Sequence, residues 1–173
     1  VLLRSPTAQD RTQFLEAMRA SRALHHPWLD PPRTPEAFEA LLARVHDDFF
    51  EPLFVVRSHD GALLGFVNFS WIIRGPLQSA FLGYGAVAAH AGQGYMTEGM
   101  QLTLRRAFME MDLHRVEANI QPGNAASIAL ARRCGFKREG YSVRYLKVGG
   151  SWRDHERWAI TVEDWRARQR DGA

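Results

Sequence analysis

A single cysteine, Cys134, stands among 173 residues, so no internal disulfide can form and a reducing compartment fits the chain. No apolar run approaches the roughly 18 residues that cross a bilayer, and no positively charged leader precedes an apolar stretch. The expectation is a cytoplasmic protein with no membrane partner. Repeats, linkers and low-complexity segments are lacking as well, which leaves one domain over residues 1–173. Net charge is +3 and the isoelectric point near 9.4, but there is no basic run with interleaved aromatics. Direct nucleic-acid binding is therefore not expected, and the basic balance fits a solvated surface with one anionic ligand site.

Other chemistries lack their residues. His25, His26 and His46 have neither regular ligand spacing nor cysteine or carboxylate partners, so no metal site is expected. In "SWRDHE", Asp154 and His155 are strand neighbours that point to opposite faces, which opposes a hydrolase triad with Ser151. Cys134 has no histidine near it in sequence and reads as a small buried apolar residue.

What is present is an alternation of strands and helices. "VLLRSP" reads as a strand, and Thr7 to Asp10 has the form of a capping box before a helix through about Arg22. Thr34 as N-cap and Pro35 at the first helical position open a second helix after a proline-rich turn. Three strands follow, "PLFVVRS", "LLGFVNFSWII" and "SAFLGYGAVA", the first pair joined at Asp60-Gly61. A long helix carries Met96, Met100, Leu104, Phe108 and Met111 on one apolar stripe. Then come the strand "HRVEANIQP", a short helix capped by Asn124 and stopped at Gly135, a hairpin turning at Gly149-Gly150, and a helical tail. The order β-αα-βββ-α-β-α-ββ predicts an α/β protein with a sheet of mixed direction.

Between the apolar strand and the long helix lies "AHAGQGYM". Gly92 and Gly94 can bring the backbone close to a ligand or adopt positive φ, and the helix that follows opens with unpaired N–H groups. Gly94 is followed by Tyr95 and Met96, so a P-loop lysine is missing, and Thr97 stands where a dinucleotide fingerprint needs a third glycine. Two readings stay open: a pyrophosphate held by backbone N–H groups, or a tight turn alone.

That element order with a G-x-G turn after the fourth strand resembles the GNAT superfamily of acetyl-CoA-dependent N-acetyltransferases, whose turn reads Q/R-x-x-G-x-G/A. Ala89 replaces the usual Gln or Arg. "QPGNAASIALARRCGF" is similar to the N-x-x-S…GF helix of the branch that acetylates N-terminal alanines of ribosomal proteins, and "LLGFVNFSWIIRG", "FLGYGAV", "EGY" and "GGSWRDHERWAIT" resemble it too. The resemblance implies a GNAT fold of the α+β kind: a single, mostly antiparallel twisted sheet of about seven strands with helices on both faces. It implies acetyl-CoA as cofactor, with Val87 and Ala89 offering backbone groups to the pantetheine arm. Ala91, Gly92, Gln93, Gly94, Tyr95 and Met96 would bind the pyrophosphate, and Asn124 would hydrogen-bond the cofactor. Ser127 matches the serine that protonates the departing thiolate; the tyrosine that does so in other members is replaced by Ala131. The implied acceptor is a protein N-terminus, that of a ribosomal protein, and a homodimer is compatible.

The chemistry fits an α-amine. Deprotonating one at pH 7 costs only about 1 kcal/mol, against roughly 4.6 kcal/mol for a lysine. Where several members carry a glutamate before the Gly-Tyr pair, this chain has Phe81, so Glu117, Asn119 or Tyr84 acting through water is the remaining proton route. Two other readings stay open: an acetyltransferase of a small amine such as an amino acid, polyamine or antibiotic, and a non-catalytic acyl-CoA-binding module.

Overall fold

The computed structural model describes residues 1–171. Its elements are β1 (Leu2–Arg4), α1 (Arg11–Ala20), α2 (Arg22–His25), α3 (Pro35–Leu42), β2 (Phe50–Val56), β3 (Leu63–Ile73), β4 (Ser79–Ala86), α4 (Tyr95–Met109), β5 (Arg115–Ile120), α5 (Ala125–Arg133), β6 (Lys137–Val148), β7 (Ser151–Thr161) and α6 (Val162–Asp171). Local chemistry sets the ends. The Asp10 carboxylate accepts the Thr7 N–H at 2.8 Å ahead of α1, Thr34 caps α3, and Asn124 caps α5. Gly135, at φ +94°, stops α5 as expected.

Two details depart from the sequence reading. The first helix does not run unbroken to Arg22: it ends at Ala20, and Ser21 turns inward to accept the Ala88 N–H at 2.9 Å. The long helix ends at Met109, so Met111 packs against the core from the turn that follows.

The seven strands form one sheet in the order β1-β2-β3-β4-β5-β7-β6. Every neighbouring pair is antiparallel except β4 and β5. Strand alternation divides the core between the two faces: Leu53 and Val55 of β2 pack with Met100, Leu104 and Phe108 of α4, while Phe54 and Val56 face Phe14 of α1 and Phe38 of α3. Phe14 stacks on Phe54 at 5.0 Å between ring centres. Each such fully buried side chain contributes about 1.5–3 kcal/mol.

The sheet is interrupted where it matters. β4 and β5 pair only from Ser79 to Leu82 and from Arg115 to Ala118. Beyond that β4 stays with β3 as far as Ala86, and β5 stays with β7 as far as Ile120. The strands part, leaving a gap with exposed backbone on both sides.

Candidate active site

The ladder on one side decides what faces the gap. The Val87 N–H donates to the Leu64 carbonyl at 2.8 Å, and in an antiparallel pair such bonds alternate along the strand. Gly83, Gly85 and Val87 therefore turn their main-chain groups to β3, and Tyr84 and Ala86 turn theirs into the gap. The Val87 N–H is therefore engaged within the sheet, and its carbonyl accepts the His90 N–H at 2.9 Å, with one lone pair left over. The Ala86 N–H is directed into the gap.

A cavity of about 340 Å³ opens from the gap toward the start of α4. Gly92 and Gly94 adopt φ of +76° and +86°, a region L side chains avoid. The N–H groups of Gly92 through Met96 have no hydrogen-bond acceptor among the described residues, a run of donors at a helix start of the kind from which an anion nest is built. Ala91 drops out of the nest, because its N–H reaches the Ala88 carbonyl at 3.3 Å. The Ala89 carbonyl accepts the Gln93 side-chain amide at 3.3 Å. Tyr95 lies edge-on to His90 at the cavity wall. Asn124 also lines the cavity, and its Oδ1 accepts the Ser127 N–H at 3.2 Å.

Ser127 and Tyr84 come from α5 and β4 and meet with their hydroxyls 2.7 Å apart. Burial pushes the Tyr84 phenol up to about 12, so it keeps its proton across the neutral range. Tyr84 also lines a second cavity of about 220 Å³, walled by Phe14, Leu29, Phe54, Phe66 and Asn68, with Asp30 at its rim. One side chain thus borders both spaces.

Glu117 and Asn119 are not brought to this pair. Val116, Ala118 and Ile120 point into the core with α4, so Arg115, Glu117 and Asn119 point to the other face of β5. Glu117 accepts the Arg115 guanidinium at 2.9 Å, and Arg115 also binds Glu139. Asn119 Oδ1 is buried without a partner.

The segment around α2 straps the mouth of the gap, a feature the sequence did not signal. On the β4 side Ser21 holds Ala88, and His25 Nε2–H donates to the Ala86 carbonyl at 2.8 Å. On the β5 side the Gln121 amide donates to the Pro27 and Trp28 carbonyls, at 3.3 and 3.0 Å. A carbonyl only accepts, so Nε2 carries the imidazole proton and Nδ1, buried and unpartnered, carries the lone pair. Burial lowers the His25 pKa below its ordinary 6.5. Below that pH the unfolded chain takes up a proton that the folded chain refuses, so stability falls with pH from 6.5 down to the lower folded value. His25→Phe is expected to flatten part of that slope in urea titrations across pH 5–7; an unchanged slope would contradict it.

Residues 1–137 match the acetyltransferase (GNAT) domain family. The chain belongs to that family. This GNAT enzyme is 41% identical over 110 residues to the probable N-acetyltransferase YjcK of Bacillus subtilis, a match covering 64% of this chain and 61% of the relative. It is 38% identical over 168 residues to the [ribosomal protein uS5]-alanine N-acetyltransferase of Escherichia coli, covering 91% of this chain and 85% of the other. Among solved structures, Mycobacterium smegmatis RimJ in complex with CoA-disulfide superposes with a TM-score of 0.85 and 27% identity, covering 98% of this chain and 88% of that one. The enzyme is an acetyl-CoA-dependent N-acetyltransferase, and the nest, the cavity and the open strand edge suit that cofactor. No helix among the described residues is long and apolar enough to cross a membrane.

Proposed function

We propose that this GNAT enzyme acetylates the α-amine of a protein N-terminus beginning with Ala or Ser, by direct attack in a ternary complex. The observation that carries the reading is the Tyr84–Ser127 pair, set where the cofactor cavity meets the smaller one. Acetyl-CoA in the larger space supplies an activated acetyl thioester. The Ala86 N–H, facing the gap, donates to the oxygen on which charge develops. Tyr84 and Ser127 hold a proton at the position of the leaving sulfur, and water in the gap carries off the proton the amine loses.

Two features favour an N-terminal amine. The second cavity is small and mainly apolar, and among the described residues Asp30 is its lone carboxylate, already paired with Arg33. That suits a single ammonium with a short side chain, whereas a polyamine presents several charges. Glu117 lies on the opposite face of the sheet from Tyr84 and is held by Arg115, so it is not placed to strip a lysine there. The E. coli relative's name specifies the alanine of a ribosomal protein, and a ribosomal N-terminus is the proposed acceptor here as well.

The pH profile tests this. With an Ala-initiated peptide, kcat/KM is expected to rise about tenfold per pH unit and level off near pH 8, where the α-amine is free. A rise that continues past pH 10 would indicate a lysine-type acceptor.

A further inference from the structure

The pyrophosphate and 3′-phosphate of coenzyme A bring more negative charge than neutral N–H groups balance, and Ala89 supplies no side chain to the turn. Among the described residues two guanidinium groups lie near it, Arg57 by the Tyr95 hydroxyl and Arg133 in the cavity lining. Arg57 is already paired with Asp60, at 2.8 Å. Arg133 lines the cavity from the last turn of α5, and its only side-chain partner among the described residues is the Thr97 hydroxyl at 3.0 Å. Among the described residues no carboxylate neutralises it, and Thr97 holds it over the first turn of α4.

We infer that Arg133 is a further cofactor-binding residue, a cationic clamp on a phosphate of coenzyme A that replaces the side chain missing at Ala89. The Thr97 hydroxyl accepts from Nη1 and orients the fork, while the remaining N–H donors are free for phosphate oxygens in a charge-assisted contact. The pair crosses from α5 to α4, so it forms only once both helices have packed.

Calorimetry with wild type, Arg133→Ala and Arg133→Lys reads this without any acceptor. The alanine variant is expected to bind coenzyme A about tenfold more weakly, and acetyl-pantetheine, which has no nucleotide phosphates, as wild type does. The lysine variant should recover part of the affinity, a point charge without the fork. Titration with 3′-dephospho-coenzyme A assigns the phosphate. If the alanine variant then matches wild type, Arg133 holds the 3′-phosphate; if the tenfold loss remains, it holds the pyrophosphate. Unchanged coenzyme A affinity, or an equal loss for acetyl-pantetheine, would overturn the assignment. Because Arg133 is exposed, its removal should leave thermal unfolding unchanged.

Discussion

Tyr84→Phe and Ser127→Ala are each expected to lower kcat for acetyl transfer by about 100-fold, with acetyl-CoA affinity held within about threefold. The two hydroxyls touch at 2.7 Å, so in the proposed reaction they act as one proton-holding unit. Removing either breaks the unit, and the double variant should be little worse than the single ones. The phenol stays protonated because burial pushes it up to about 12, which makes it a donor at every pH where the protein is used. Its ring, in contrast, only separates the two cavities, and phenylalanine preserves that. Stopped-flow measurement of thiol release together with calorimetry for acetyl-CoA checks both halves. Additive losses, each multiplying the other, would show two independent residues instead of a pair.

Gly94→Val should nearly abolish cofactor binding, weakening acetyl-CoA by about 100-fold. At φ +86° a β-branched residue is strained by about 2–3 kcal/mol. The turn can relieve that strain by rotating to negative φ, and rotation swings the N–H groups of Gly92 through Met96 away from a common point. Each 1.4 kcal/mol is a factor of ten in affinity, so the expected loss follows from the strain alone. A Cβ at Gly94 meets no atom within 4 Å, so the effect cannot come from a clash with the core. Calorimetry decides: wild-type affinity in this variant would mean that the turn does not hold the pyrophosphate.

The sequence was most readable where chemistry is local. The capping oxygens of Thr34 and Asn124, the Asp60-Gly61 turn, and the glycine stop at Gly135 act within a few residues, and each appears in place. The alternating faces of "HRVEANIQP" were legible too, and β5 buries every second residue. What stayed hidden depends on pairing between distant segments. That Ala86 and not Val87 faces the gap follows from the register with Leu64, which no local pattern carries. The same holds for Glu117: its residue type suggested a base, yet Arg115, two residues away on the same face, takes the carboxylate. Ser21, His25 and Gln121 looked like ordinary polar residues, and only the closing of α2 over the strand ends buries them. Ala91 sat inside the motif but lost its N–H to a turn one residue earlier than the glycines.

In the proposed reaction the acceptor is an α-amine delivered to the Tyr84–Ser127 pair. One peptide tests it most directly: an Ala-initiated sequence with an internal lysine, incubated with acetyl-CoA and enzyme alongside spermidine, the products located by tandem mass spectrometry. Acetyl is expected on the N-terminal nitrogen alone, with the lysine and spermidine unmodified. Acetyl on the lysine side chain, or on spermidine in preference to the peptide, would contradict it.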